Sequence, residues 1–249
     1  MSAVLDNSLA TPLLRIRGLA KTFTLHNQAG AVLPVLENID LDVGAGECVV
    51  LHGPSGAGKS TLLRAIYANY RSQQGSIEIF HRGRWLDIGL AHTRQLLEVR
   101  RDTMGYVSQF LRVIPRVATL DIVAEPLLGC GMSRDQAEGK AAGLLARLNI
   151  PEKLWRLPPA TFSGGEQQRV NIARGFIRHF PVLLLDEPTA ALDAANRAVV
   201  AGLIAEARDA GSAIVGIFHD DEIRSRVATR LYPLQPLTVV ASVTASSVI

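Results

Sequence analysis

Residues 53–60 read GPSGAGKS, and this stretch decides the fold. It matches the pattern G-x-x-x-x-G-K-[ST], in which backbone N–H groups converge on phosphate oxygens while a lysine and a hydroxyl complete the cradle. The run at 47–52 is apolar and β-branched like a buried strand, and the run at 59–67 has apolar residues at helical spacing. Strand, glycine loop and helix in this order aim a helix N-terminus at a polyphosphate, which predicts nucleotide binding. Lys59 is predicted to meet the β and γ phosphates, and Ser60 to bind Mg²⁺.

The composition is that of an ordinary globular protein with a substantial core. The chain has 249 residues, of which 48% are hydrophobic and 20% charged, and a formal net charge of +3. The basic residues form no run, so nucleic acid is not an expected partner. Cys48 and Cys130 lack metal or redox spacing, which predicts reduced thiols and a cytoplasmic location. The N-terminus lacks the pattern of a secretory signal, and no apolar stretch approaches about 20 residues, so no membrane span is predicted.

Periodicity predicts strands and helices on both sides of the glycine loop. The segments 13–19 and 36–43 alternate apolar and polar residues, as strands of an antiparallel edge do. From about 119 to 150 the spacing turns helical, which predicts an insertion between strands of the central sheet. Residues 1–12 are expected to form a loose leader, and residues 241–249 a frayed tail. The further predicted elements are strands over 75–80, 84–88, 104–109, 182–186 and 212–218, a helix over 93–101, and helices capped by Ser133 and Asp193.

Polar residues stand at the ends of the predicted buried strands. The run 182–185 is continuously apolar, and Asp186 and Glu187 follow it where open α/β sheets place their ligands. The alternative is a pair of exposed carboxylates at a strand end. His219 ends the next apolar strand, although a lone histidine is more often structural. Ser163 opens a helix, where backbone N–H groups make an anion site.

Five sequence elements occur together in the order and spacing found in ATP-binding cassette ATPases, and the chain resembles that family over almost its whole length. They are the glycine loop, Gln109, SGGEQ at 163–167, Asp186-Glu187 and His219. The resemblance implies an α/β fold, with a P-loop NTPase core of the RecA type, an N-terminal antiparallel β edge and a helical subdomain. It implies a single domain over 1–249, with the helical subdomain over about 111–168.

The resemblance also implies roles in ATP hydrolysis, residue by residue. Asp186 is similar to the aspartate that holds Mg²⁺ through water, and Glu187 to the base that polarises the attacking water. Gln109 resembles the glutamine that touches Mg²⁺ and that water, and His219 the histidine that contacts the γ-phosphate. Phe23 falls where the family places an aromatic ring on adenine, with core packing as the alternative. The loop residues implied to bind ATP are Gly53, Pro54, Ser55, Gly56, Ala57, Gly58, Lys59, Ser60 and Thr61.

A second cassette is the partner that the resemblance implies. Ser163, Gly164, Gly165 and Glu166 would close over the ATP held by the glycine loop of that cassette, so that two chains pack head to tail. The second cassette is either another copy of this chain or a sister subunit. Two positions depart from the family pattern: the signature reads FSGGE where LSGGQ is commonest, and Ala190 stands where a serine is frequent.

Four longer stretches resemble the cassette subunits of the bacterial carbon-phosphorus lyase system, and its L-subunit family most. They are HGPSGAGKSTLLRAIYANY at 52–70, VSQFLRVIPR at 107–116, TFSGGEQQRVNIARGF at 161–176 and GIFHDDE at 216–222. The resemblance implies an ATPase that remodels the soluble phosphonate-degrading core complex, as a subunit of alpha-D-ribose 1-methylphosphonate 5-triphosphate synthase. Residues 110–116 would then be its docking surface. The alternatives are the ATPase subunit of a membrane transporter, and an ATP-gated assembly module whose hydrolysis resets binding.

Overall fold

The computed structural model describes residues 11–25, 31–109, 111 and 115–237. The predicted tail, the predicted leader up to residue 10, and residues 110 and 112–114 of the predicted docking surface lie outside these ranges. The strands are β1 (Pro12–Leu25), β2 (Ala31–Gly44), β3 (Cys48–His52), β4 (Gln74–His81), β5 (Arg84–Asp87), β6 (Met104–Val107), β7 (Val182–Asp186), β8 (Ala213–Ile217) and β9 (Arg230–Pro233). The helices are α1 (Lys59–Ile66), α2 (Thr93–Asp102), α3 (Thr119–Leu128), α4 (Arg134–Arg147), α5 (Gly164–Phe176), α6 (Ala194–Asp209) and α7 (Asp221–Val227), with 3₁₀ turns at Glu152–Leu154 and Pro159–Thr161.

An antiparallel sheet of strand order β2-β1-β4-β5 covers one side of the molecule. In β1, Leu14 and Ile16 are fully buried, whereas Arg15 and Arg17 alternate with them and point to the other face. Ile16 is paired with Leu41 of β2 on one side and with β4 on the other. The period-2 pattern of the sequence therefore produces the antiparallel edge that it predicts.

The second sheet is parallel and has the strand order β6-β7-β8-β3-β9. Every residue of β7 and β8 is buried, as the continuous apolar runs predict for strands covered on both faces. Because the strands are parallel, their carboxyl ends meet at one edge of the sheet. This edge carries the glycine loop after β3 and the polar residues that follow β6, β7 and β8.

Alternate residues of the parallel strands enter two separate cores. Leu183 and Leu185 of β7 pack in a core that includes α3 to α6, while Val182 and Leu184 pack in a core shared with α1 and the antiparallel sheet. The chain between β6 and α5 supplies α3 and α4, which pack on each other and on α5. Ser133 caps α4 as predicted, with its hydroxyl accepting from the backbone N–H of Gln136 at 3.4 Å.

Three features of the strands differ from the sequence-based expectation. Strand β1 continues past the predicted segment 13–19 to Leu25, because a bulge with Gly18 at φ 52° shifts the register. The predicted strand 104–109 ends at Val107, so Gln109 lies beyond it. Strand β9 has no counterpart among the predicted elements, since its residues are mostly exposed. No helix among the described residues combines the length and apolar character that crossing a bilayer needs.

Candidate nucleotide-binding site

The glycine loop joins the buried strand β3 to the N-terminus of α1. Gly53, Gly56 and Gly58 have φ values of 151°, 80° and 86°, where a side chain is strained. A Cβ at Gly58 would lie 2.9 Å from the carbonyl oxygen of Val35, so the loop is pressed against β2 with no room for a side chain. The backbone itself therefore forms the wall of the cradle, as phosphate binding requires.

Lys59, the first residue of α1, folds back over this loop. Its ammonium group donates hydrogen bonds to the carbonyl oxygens of Gly53 and Pro54 at 2.7 and 2.8 Å. The positive charge is thus held at the mouth of the cradle, within reach of an anion that enters it. A phosphate oxygen would replace these neutral acceptors with a charged one, which is the stronger kind of hydrogen bond.

Ser60 and Asp186 meet although 126 residues separate them. The Ser60 hydroxyl donates to Oδ1 of Asp186 at 3.1 Å, and Asp186 is 1% exposed. A hydroxyl beside a carboxylate is a hard oxygen donor set that suits Mg²⁺, which binds one or two carboxylates and completes its shell with water and phosphate oxygens. No cluster of three or more His, Cys, Asp or Glu side chains able to hold a metal occurs among the described residues.

Glu187 lies at the centre of the residues that follow β6, β7 and β8. Its Oε2 accepts a hydrogen bond from Nε2 of Gln109 at 3.2 Å, and its Oε1 one from Nε2 of His219 at 2.7 Å. Its backbone has a φ of 52°, and its N–H donates to the carbonyl of Ile217 in β8 at 3.1 Å. The structure therefore brings together three residues that the sequence predicts to be catalytic. The Glu187 side chain is 18% exposed, so a water molecule can reach it.

Asp220 ties the segment after β8 to helix α6. Its carboxylate accepts from the backbone N–H groups of Glu222 and Ile223 and pairs with Arg197 of α6. The hydrogen bond from the Ile223 N–H lowers the pKa of Asp220, with a further contribution from Arg197. Glu187, His219, Arg197 and Asp220 line one side of an open cavity of about 310 Å³.

The predicted anion site at the start of α5 is exposed to solvent, and its residues Ser163 and Glu166 hydrogen-bond to each other. The Ser163 hydroxyl accepts from the backbone N–H of Glu166 at 3.3 Å, and the Glu166 carboxylate accepts from the backbone N–H of Ser163 at 2.9 Å. Hydrogen bonds from Ser163 lower the pKa of Glu166, so its carboxylate is charged at neutral pH. A Cβ at Gly165 would lie 3.0 Å from the carbonyl of Ala191, in the segment after β7. Gly164 shares a cavity of about 130 Å³ with Gln109 and Glu187.

Phe23 lies in β1 and packs against its own neighbours. Its ring meets Tyr70 edge-on at a centroid distance of 5.2 Å, and the Lys21 ammonium lies 4.9 Å from its centroid. Packing is therefore observed, while contact with adenine stays a prediction.

Tyr106 and Asn171 belong to the site region but were missed by the sequence reasoning. The Tyr106 hydroxyl donates to Oδ2 of Asp186 at 3.1 Å, and burial, followed by the charge of Asp186, raises its pKa. The Asn171 amide in α5 donates to the carbonyl of Ser108 at 2.6 Å, next to Gln109. Both contacts depend on which residues lie next to β6 in the folded chain, and no local sequence motif predicts those residues.

A family model described as ABC transporter matches residues 36–190. The chain is 40% identical over 216 residues to the lipoprotein-releasing system ATP-binding protein LolD 2 of Caulobacter vibrioides, covering 86% of this chain and 91% of that protein. It is 34% identical to the macrolide export ATP-binding/permease protein MacB 1/2 of Paracoccus denitrificans, covering 86% of this chain and 31% of that protein. A dimeric structure of the ATP-binding cassette MJ0796 in a post-hydrolysis state with ADP and phosphate superposes with a TM-score of 0.81 at 28% identity, covering 90% of this chain and 95% of that chain.

These similarities confirm the predicted fold class. They support the prediction of an ATP-binding cassette ATPase, but they do not support every part of the functional prediction. The superposition supports the α/β architecture of an antiparallel and a parallel sheet around a phosphate-binding loop. The specific resemblance to carbon-phosphorus lyase subunits is not supported, because the relatives named above belong by name to transport systems. They favour the transporter alternative.

Proposed function

Since this chain belongs to the ABC transporter family of ATP-binding cassette ATPases, we propose that it is the ATPase subunit that drives a membrane permease. The observation that carries the proposal is the 40% identity that extends over 91% of a lipoprotein-releasing ATP-binding protein. The similarity to an ATP-binding/permease protein covers 31% of that protein, which suits a chain that supplies the ATPase part. One of these names describes release of lipoproteins and the other export of macrolides, and on these names we propose a permease that releases or exports its cargo.

Gly53 to Thr61 cradle the phosphates of ATP in this proposal. Lys59 exchanges its two carbonyl acceptors for β and γ phosphate oxygens, and the N-terminus of α1 faces the same oxygens. Ser60, Asp186 and Gln109 would hold Mg²⁺. Mg²⁺ would supply positive charge that offsets the charge of the phosphates.

Glu187 is proposed to act as the general base. Gln109 and His219 each donate to a different oxygen of its carboxylate, which fixes the direction in which the group can accept a proton from water. As the water attacks, His219 and Lys59 lie where negative charge collects on the γ-phosphate. The left-handed backbone at Glu187 turns its side chain from the buried path of β7 toward this edge of the sheet.

Ser163 to Glu166 are proposed to serve the ATP of a second cassette. The segment opens an exposed helix N-terminus, and MJ0796 forms dimers in two of the solved structures that superpose on this chain. A phosphate entering there competes with the Glu166 carboxylate for the backbone N–H and the hydroxyl of Ser163. A glutamic acid at this position therefore makes the closed dimer more dependent on the other ATP contacts.

The proposed surface for the permease is a groove between the core and the helical segment. This groove has a volume of about 400 Å³. It is lined by four charged residues, Arg100, Arg101, Glu125 and Arg174, together with apolar and uncharged polar residues. At its rim, Leu97 is 59% exposed. An apolar side chain flanked by charges suits a short amphipathic segment of a partner.

The first experiment uses Glu187→Gln, which keeps the shape and the acceptor oxygen of the side chain. We expect ATP hydrolysis to fall by roughly 10²- to 10⁴-fold while ATP binding is retained. The tagged variant is then isolated with Mg²⁺ and ATP, or with ADP, from detergent-solubilised membranes and from the soluble fraction. An integral membrane permease retained with ATP supports the proposal.

Two surface variants test whether the groove is the contact. Leu97→Glu should abolish capture of the permease while ATP hydrolysis by the purified chain stays unchanged. Leu90→Glu is the matched control, since Leu90 is 82% exposed and does not line the groove. If both variants capture the permease equally, the permease contacts a different surface of the chain.

The carbon-phosphorus lyase subunit is the second candidate, and it rests on the four quoted stretches. In the same experiment it requires soluble phosphonate-degrading subunits to be captured, with no permease. That outcome would overturn the transporter proposal and leave the ATPase assignment intact. ATP hydrolysis would then remodel the soluble complex.

A further inference from the structure

Tyr106 contacts Asp186 from a neighbouring strand, outside any of the motifs. It lies in β6 and is paired with Leu184 of β7 in the parallel register. Leu184 and Asp186 point to the same face of the sheet, since alternate residues of a strand share a face. The phenol ring extends along that face, and its hydroxyl donates to Oδ2 of Asp186 at 3.1 Å.

The neighbours of Tyr106 hold its ring in one place. The ring of Tyr67, at the end of α1, packs on it at a centroid distance of 4.7 Å. The guanidinium of Arg100 lies 4.4 Å from the centroid of the Tyr67 ring and donates to the Tyr67 carbonyl at 2.7 Å. Tyr106 therefore packs on Tyr67, and Arg100 of α2 holds Tyr67 in turn.

The two carboxylate oxygens of Asp186 accept hydrogen bonds from two different hydroxyl groups. Ser60 donates to Oδ1 and Tyr106 to Oδ2, each at 3.1 Å. Because Asp186 is 1% exposed, bulk water does not replace a lost donor freely. Groups that hydrogen-bond to a metal-binding carboxylate set its orientation, and their loss typically weakens metal binding by about 10- to 100-fold.

We propose that Tyr106 is a positioning residue that orients the Asp186 carboxylate for the Mg²⁺ that accompanies the nucleotide. The inference rests on the proposed function, because it assumes that Asp186 holds Mg²⁺. Tyr106 acts through Asp186: its hydrogen bond to Oδ2 orients the carboxylate so that Oδ1 faces Ser60. Ser60 and Oδ1 would then be the groups that hold the ion.

Tyr106→Phe removes the hydroxyl and keeps the ring. Binding of a fluorescent ATP analogue is measured in EDTA and over a Mg²⁺ titration, and binding of Mn²⁺ in the presence of ADP is followed by electron paramagnetic resonance. We expect unchanged affinity in EDTA, and a roughly 10- to 100-fold higher Mg²⁺ or Mn²⁺ concentration for the metal-dependent part. Tyr232→Phe is the matched control: its hydroxyl donates to the Asp40 carbonyl at 2.9 Å, away from Asp186.

Asp186→Asn separates positioning from a general structural effect. The double variant Tyr106→Phe/Asp186→Asn should bind Mn²⁺ no more weakly than Asp186→Asn alone, since Tyr106 acts through the lost carboxylate. Additive losses, or a loss of affinity in EDTA, would make Tyr106 a structural residue and overturn the inference. So would a metal titration of Tyr106→Phe that matches the unaltered protein. If the unaltered protein binds no nucleotide under any condition, the proposed function itself fails.

Discussion

Gly53→Ala tests whether close contact with the segment after β9 holds the glycine loop in place. A Cβ at Gly53 would lie 2.2 Å from the carbonyl oxygen of Leu234, and φ there is 151°. Leu234 cannot retreat easily, because it is buried and its N–H donates to the His52 carbonyl at 2.7 Å. Backbone strain contributes about 1–3 kcal/mol and relief of the overlap about 1–3 kcal/mol. The free energy of unfolding should therefore fall by roughly 2–6 kcal/mol, which lowers the melting temperature by about 4 °C or more.

Gly83→Ala is the control for the strain alone. Gly83 has a φ of 81°, and a Cβ there meets nothing within 4 Å, so its cost should stay near about 1–2 kcal/mol. Urea unfolding of both variants gives the difference that belongs to the contact with Leu234. A fluorescent ATP analogue should also bind more weakly to Gly53→Ala, because the displaced loop no longer matches the phosphates. Equal stability losses in the two variants would refute the reasoning and show that the carbonyl yields without cost.

Three further outcomes are expected. Ser163→Ala removes the cap of α5 and should lower the free energy of unfolding by about 1 kcal/mol in urea titrations, whereas an unchanged midpoint would show that the cap contributes nothing. A hydrogen bond from Arg101, supported by a second from Arg82, lowers the pKa of Asp102 from 3.8 to about 2, so its stabilising effect is present above pH 3.8 and lost as the pH falls through 2. Asp102→Asn should then destabilise the protein at pH 7 and by much less at pH 2, and an equal loss at both would contradict this. Burial raises the pKa of Cys48 to about 12, so a thiol reagent at pH 8 should modify exposed Cys130 and spare Cys48 until the protein unfolds, as mass spectrometry would show.

Local signals predicted the elements that carry the site. The apolar runs before the glycine loop and before Asp186 become β3 and β7, and Asp193 caps α6 by accepting from the N–H of Asn196 at 2.8 Å. The convergence of Gln109, Glu187 and His219 follows from strand ends of one parallel sheet. These features depend on short stretches whose hydrophobic period and flanking residues point to one structure.

Features that depend on the neighbours of a strand in space were not predictable in this way. Strand β9 is short and mostly exposed, and its pairing with β3 defines it. The contact of Tyr106 with Asp186 requires the order of β6 and β7 and their register, whereas the sequence alone offers a tyrosine in an apolar strand. The bulge at Gly18 also escaped prediction, because an interrupted alternation is typical of a strand end as well as of a bulge.

The order of the parallel sheet has a consequence for synthesis of the chain on the ribosome. Strand β3 lies between β8 and β9, and the backbone N–H of Cys48 donates to the Thr229 hydroxyl, 181 residues later. At about 5–20 residues per second, roughly 10–35 s pass between translation of these two residues. For most of that time the backbone N–H and C=O groups along both edges of β3 have no strand to pair with, because its neighbours β8 and β9 lie near the end of the described chain. The glycine loop is therefore made early, and the sheet edge on which it lies is completed late.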